Sequence, residues 1–230
     1  MIEVRDLHHE FRIGKKGQEK IVPVLRDIDL SVREGEIVSV LGRSGSGKST
    51  LLNLIAGYIR PTGGRIVVAG TDVTGLNETQ WAKFRLNHMG FIFQSFQLIP
   101  SMTAFANIEL PLILKGVDDK KRAAYVQEAM AMVGMEEFAH FYPSELSGGQ
   151  QQRVGIARAM VLKPRLILAD EPTGSLDSET EETVLQFIRE LNQRHNTTFL
   201  IITHDREVAA FAHRSVAIHN GSLVAQEVLG

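Results

Sequence analysis

Apolar and polar positions alternate at the start of the chain. Ile2 and Val4 come first, then Phe11, and Leu25, Ile28, Leu30 and Val32 after a Gly/Lys-rich stretch at Gly14–Gly17. Period-two patterning predicts short strands, with the Gly/Lys stretch as a hairpin tip and Gly35 as a turn. Ile37 to Leu41 is a continuous apolar run with β-branched residues, as a strand buried on both faces requires. A Gly/Ser loop follows, then Leu51, Leu52, Leu54 and Ile55 on a helix that stops near Gly57. A strand pair is expected around Arg65–Ala69, a helix over Glu78–Asn87 and a strand over Gly90–Gln94.

From Pro100 to Gly134 the pattern is mostly helical, with alanines and methionines at helical spacing over Ala123–Val133. Asp118 and Asp119 precede Lys120, Lys121 and Arg122, an order that suits the dipole at a helix start. Met130, Met132 and Met135 read as gap-fillers in this helical region. The last third returns to strands at Arg165–Ala169 and Thr198–Ile202. Between them Ser178 and Glu181 form an expected capping box, and Val184, Phe187, Ile188 and Leu191 share one helix face. Strand–helix alternation implies a parallel sheet with helices packed on it, and the helical middle is then an insertion. The expectation is a single domain over residues 1–230. Its core lobe spans about 1–95 and 160–230, and its helical lobe about 96–159.

Composition narrows the chemistry. Lys and Arg number 25 against 27 Asp and Glu, a net charge of −2. That balance lacks the basic field of a nucleic-acid binder, so no nucleic-acid partner is expected. Cysteine is absent, which excludes thiol catalysis, cysteine-ligated zinc and disulfides. His8, His9, His88, His140, His195, His213 and His219 show no metal-ligand spacing. No apolar run approaches the ~20 residues that cross a bilayer, and the first residues carry no export pattern. The chain is expected in the cytoplasm, with any membrane span supplied by another polypeptide.

Three segments carry candidate chemistry. Gly42-Arg43-Ser44-Gly45-Ser46-Gly47-Lys48-Ser49 fits G-x-x-x-x-G-K-S between a strand and a helix. In such a loop backbone N–H groups cradle phosphate oxygens, Lys48 reaches the β- and γ-phosphates, and the Ser49 hydroxyl binds Mg²⁺. Arg165 to Glu171 is an apolar strand ending in two acids, an arrangement that packing does not favour. Asp170 would orient the Mg²⁺ shell and Glu171 would polarise an attacking water. Leu146-Ser147-Gly148-Gly149-Gln150-Gln151-Gln152-Arg153 opens a helix with glycines, which makes a second anion-binding terminus.

Together these residues resemble an ATP-binding-cassette (ABC) ATPase, over essentially the whole chain. The resemblance implies an α/β fold. Its core is a P-loop NTPase (RecA-like) lobe, with an N-terminal antiparallel β subdomain and an inserted α-helical subdomain. It implies ATP and Mg²⁺ as cofactors and a homodimer that sandwiches two ATPs head to tail. Ser147, Gly148 and Gly149, with Gln150, would then grip the γ-phosphate bound to the partner subunit. Gln94 resembles the glutamine that touches Mg²⁺ and the attacking water, so the metal set is Ser49, Gln94 and Asp170. Asp177, in Ser175-Leu176-Asp177, resembles the D-loop that crosses the dimer interface. His204 resembles the switch histidine on the γ-phosphate, joining Glu171, Gln94 and Lys48 in catalysis. Thr50 completes the nucleotide-binding set. Phe11 resembles the aromatic that stacks on adenine, where the family usually has tyrosine; a core phenylalanine of the hairpin is the other reading.

The chain carries neither a coiled-coil insertion nor a second cassette. A transporter subunit is therefore expected, peripheral on the inner face of the cell membrane through an integral-membrane permease. Phe96–Pro100, Asn107–Leu112 and the long hairpin before Val24 resemble the bacterial subgroup of lipoprotein release, macrolide export and antimicrobial-peptide resistance. A permease helix would dock near Gln94–Leu112, with Phe96 and Leu98 as anchors or as lobe core. An ATP-driven regulatory or mechanical module is the alternative function. Trp81 reads equally as interface or as core.

Overall fold

The computed structural model describes residues 1–15 and 18–227. Lys16 and Gly17 of the expected hairpin tip lie outside the described residues. In chain order the first elements are β1 (Ile2–Ile13), β2 (Lys20–Val32), β3 (Ile37–Leu41), α1 (Lys48–Ile55), β4 (Gly63–Val68), β5 (Thr71–Asp72) and α2 (Glu78–His88). Next come β6 (Met89–Phe93), α3 (Ala104–Leu114), α4 (Asp119–Met132), α5 (Gly148–Met160), β7 (Leu166–Asp170) and α6 (Ser178–His195). The last are β8 (Thr198–Thr203), α7 (Arg206–Phe211), β9 (Arg214–His219) and β10 (Ser222–Glu227). The chain forms two compact units, residues 1–81 with 198–230, and residues 82–197.

In the first unit β2, β1, β4 and β5 make an antiparallel sheet in that order. The simple alternation expected of β1 and β2 is interrupted by register shifts between Val4 and Glu10. Asp6 and Asp27 there take left-handed backbones, φ 46° and 48°. Each kink inserts residues so that Val4 and Leu7 on one strand, and Leu25 and Ile28 on the other, all reach the core. A parallel set in the same unit places β3 between β8 and β9, and β10 runs antiparallel on β9. Ile37, Val38 and Val40 of β3 and all six residues of β8 are buried, as their apolar runs imply. Trp81 is core: it is 5% exposed, and its ring lies over Gly57, where a Cβ would come within 2.1 Å of it.

In the second unit β6 and β7 pair in parallel, and α3, α4 and α5 pack on one another around Ile108, Val126, Met130 and Met135. Asn107, fully buried, ties the approach to α3. Its amide donates to the Ile99, Met102 and Thr103 carbonyls and accepts from the Ile99 N–H at 2.7 Å. Asp118 caps α4 as its acids-first sequence implies. The capping box expected from Ser178 and Glu181 is not formed. Asp177 is the N-cap of α6, accepting from the Thr180 N–H at 3.0 Å and the Thr180 hydroxyl at 2.9 Å. Two adjacent cap-competent residues compete there, and the extended backbone that a cap needs falls on Asp177.

Candidate functional site

The parallel strand β3 delivers the chain into the Gly42–Ser49 loop. The Gly42 N–H donates to the Thr203 carbonyl at 3.1 Å, which fixes the loop's start beside the end of β8. A Cβ at Gly42 would meet Ser46 Oγ at 2.6 Å, and one at Gly47 (φ 106°) would meet Leu25 Cδ2 at 2.7 Å. Both positions therefore demand glycine. Lys48 is buried, and its ammonium donates to the carbonyls of Gly42 at 2.7 Å and Arg43 at 3.1 Å, drawing the loop around itself. The loop's Ser46 Oγ is buried with no partner. No side chain caps α1 and no acid occupies its first turn, so its positive N-terminal end suits an anion. Ser49 is exposed and Thr50 half-buried at the helix start.

Neighbouring strands hold two more expected residues in this unit. Leu41 pairs with Thr203, so Gly42 and His204 both emerge from the same end of adjacent strands. Asp205 caps α7 by accepting from the Glu207 N–H, and Thr203 Oγ accepts from the Asp205 N–H. His204 thus stands exposed between a fixed strand and a capped helix. Phe11 pairs with Val22 on β2, and farther along that strand Val24 and Leu25 back onto Gly47. Phe11 is 39% exposed, which removes its reading as hairpin core. The ring of His9 meets it edge-on, centroids 4.7 Å apart. Burial pulls the His9 pKa below the ordinary histidine value, so near neutral pH it braces Phe11 as an uncharged ring.

The second unit holds the remaining expected residues. Phe93 and Asp170 are register partners at the ends of β6 and β7, so Gln94 leaves β6 at the edge where Asp170 ends β7. Glu171 is not a further strand residue. Its backbone turns left-handed, φ 47°, which ends the alternation of faces that a continued strand would give. Gln94 and Glu171 converge over Gly174, where a Cβ would lie 3.0 Å from Gln94 Nε2 and 3.4 Å from Glu171 Oε2. Ser147 caps α5: its Oγ accepts from the Gln150 N–H, and the Gln150 amide oxygen accepts from the Ser147 N–H at 2.8 Å. That reciprocal pair leaves the N–H groups of Gly148 and Gly149 pointing out of the helix start. Gly149 also lets α5 approach α6, since a Cβ there would strike the Thr180 methyl.

Phe96 is half-buried with its ring near Gly148, Leu98 is half-buried, and Asp177 is exposed in its capping role. Two polar ties were not expected. The Gln152 amide donates to the Pro172 carbonyl, just past Glu171. Arg158 donates to the Gln97 and Phe96 carbonyls at 2.5 and 2.8 Å, and burial pushes its pKa down. In sequence Arg158 is only a cation in the last turn of a helix, where dipole complementarity alone accounts for it.

A phosphate loop between a parallel strand and a helix defines a nucleotide-binding α/β protein of the P-loop class. The family model for the ABC transporter matches residues 25–174, and the chain belongs to that family. It is an ATP-binding and ATP-hydrolysing cassette of an ABC system. The ABC transporter ATP-binding protein YtrE of Bacillus subtilis is 61% identical over 223 residues, covering 97% of this chain and 96% of its own length. The macrolide export ATP-binding/permease protein MacB of Salmonella typhimurium is 43% identical over 224 residues. The match spans 97% of this chain and 34% of MacB. The solved dimer of the ATP-binding cassette MJ0796, in a post-hydrolysis state with ADP and Pi, superposes with a TM-score of 0.91. It is 38% identical, covering 100% of this chain and 99% of that one. None of the described helices is long and apolar enough to cross a membrane.

Proposed function

We propose that two copies of the chain close head to tail around two ATPs and drive a separate integral-membrane permease. In each site Gly42–Thr50 holds the triphosphate, Phe11 stacks on adenine, and the partner subunit's Ser147, Gly148 and Gly149 grip the γ-phosphate. The observation that carries the reading is the start of α5. Its capping pair leaves two glycine N–H groups open to an anion, in a unit that contains no phosphate loop of its own. The dimeric form of MJ0796 supports the same assembly.

Ser49, Asp170 and Gln94 offer a hydroxyl, a carboxylate and an amide oxygen, the hard donors that suit Mg²⁺. Asp170 and Gln94 stand at the ends of paired strands, which fits a shared ion. When bound, the ion neutralises phosphate charge. Glu171 polarises the attacking water and Gln94 orients it, the two side chains meeting over Gly174. Lys48, the loop N–H groups, His204 and the partner subunit's Ser147 spread the charge of the transition state. Asp177 caps its helix and lies at the dimer interface.

For the permease we place the docking surface at Gln94–Leu112 in the second unit, with Phe96 and Leu98, both half-buried, as its anchors. A cleft of about 480 Å³ there is lined by Phe105, Gln127, Met130, Ala131, Glu136 and His140, among others. Through it the chain sits on the inner face of the membrane. MacB, named for both an ATP-binding and a permease part, supports the pairing.

Glu171→Gln tests the reading. ATP binding is expected to persist, turnover to fall about 10²–10³-fold, and the protein to elute as a dimer only with ATP. Lys48→Ala is expected to lose ATP affinity and the dimer with it. Normal turnover in the first variant would remove Glu171 from its role, and a monomer in saturating ATP would overturn the sandwich. Tagged Glu171→Gln, recovered from native membranes with Mg-ATP, is expected to bring a multi-span protein with it. Recovery of the chain alone would count against the permease.

A further inference from the structure

The segment just after Gln94 has an unusual backbone. Phe96 and Gln97 are consecutive non-glycine residues in left-handed conformations, φ 60° and 47°, which L-residues rarely adopt singly and almost never in series. The Phe96 N–H bonds back to the Phe93 carbonyl and the Gln97 N–H to the Ser95 carbonyl. Ser95 to Gln97 therefore form a tight reversal that begins one residue beyond Gln94. Both carbonyls of the reversal point at one guanidinium: Arg158 donates through Nη2 to Phe96 and through Nη1 to Gln97. The side chain comes from α5, the helix whose first residues are the Gly148–Gly149 anion terminus. A planar fork meets two adjacent carbonyls as a single ammonium cannot. Gly155, one turn earlier on α5, faces the same Phe96 carbonyl.

We infer that Arg158 is a positioning residue for Gln94. It holds the strained reversal closed, and so keeps the Gln94 side chain where it meets Glu171, without touching nucleotide itself. This rests on the proposed role of Gln94 in orienting the attacking water. It adds the means by which α5, engaged at one end by nucleotide, governs that glutamine in its own subunit.

Turnover and KM for ATP in Arg158→Met, Arg158→Lys, Gln94→Ala and the Gln94→Ala/Arg158→Met double variant test it. Arg158→Met is expected to lower kcat about 10–100-fold, the scale of a reactant misplaced by about 1 Å, with KM within about twofold. Arg158→Lys is expected not to rescue kcat, because its point charge cannot serve both carbonyls. The double variant is expected to turn over no more slowly than Gln94→Ala alone. Adding Gln97→Gly to Arg158→Met is expected to restore part of kcat, since glycine takes a left-handed backbone unaided. A melting temperature unchanged in Arg158→Met tells a positioning role from general loss of folding. Wild-type kcat in Arg158→Met, or a loss that multiplies on the Gln94→Ala background, overturns the inference. Full turnover in Gln94→Ala would instead remove the role of Gln94, whatever Arg158→Met does.

Discussion

Phe11 leaves more of its ring in solvent than a hairpin aromatic needs to, and the buried ring of His9 stands edge-on beneath it. An exposed face held by a rigid neighbour loses little entropy when a flat partner settles on it. Phe11→Ala is therefore expected to weaken ATP binding about 2–10-fold, and Phe11→Tyr to leave it within about twofold; titration with a fluorescent ATP analogue measures both. The loop's place between β3 and α1 was legible in sequence, because glycine, lysine and serine at that spacing mark a strand-to-helix turn. Glu171 was legible as an acid at a strand end, but its left-handed turn was not. Nothing in a glutamate's identity announces a positive φ. Arg158 stayed hidden for a related reason: a buried arginine and a solvated one look alike until the carbonyls they face are known.

Helices and strands carry the next level of control. Sequence periodicity located β3, β7, β8 and α4 because burial on one or both faces writes itself into apolar spacing. It missed the kinks at Asp6 and Asp27, whose left-handed residues shift which side chains reach the core. It also set the start of α6 one residue late. Asp177 does the capping, and the Thr180 N–H and hydroxyl hold its carboxyl below the usual carboxylate range. Its folded pKa is depressed, so the cap's contribution is present near neutral pH and is lost as acid carries the group through that lowered value, below about pH 4. Asp177→Ala is expected to lower the melting temperature by a few degrees at pH 7, and Asp177→Asn to keep most of it, since asparagine caps as well. Should both variants melt like the parent yet hydrolyse ATP poorly, Asp177 would act at the interface and not through its cap.

At the scale of the whole molecule, expected catalytic groups divide between two compact units of one chain and, in the proposed dimer, between two chains. Family membership was legible from three short motifs; the expected core lobe of about 1–95 and 160–230 and helical lobe of about 96–159 stand beside compact units of 1–81 with 198–230 and 82–197. A symmetric head-to-tail dimer makes a strict demand on mixtures. Lys48→Ala disables the phosphate loop and Ser147→Arg the signature, so each alone is expected to be inactive. Mixed in equal amounts, only a dimer that pairs one of each keeps an intact site, so the mixture is expected to recover activity, up to about a quarter of parental turnover where pairing is random and the sites act independently. No recovered activity at concentrations that support dimers would mean that both sites must be whole, or that each site is built from one chain. The exposed face of Phe11 carries one last consequence, for fuel choice. A π-face accepts any nucleobase and reads none of the edge groups that tell adenine from guanine or cytosine, whereas the loop around Lys48 counts phosphates. A cassette that holds its nucleotide in the proposed way would meter the energy of a triphosphate and be nearly blind to its letter. ATP would then be its fuel chiefly because cells keep more of it than of any other.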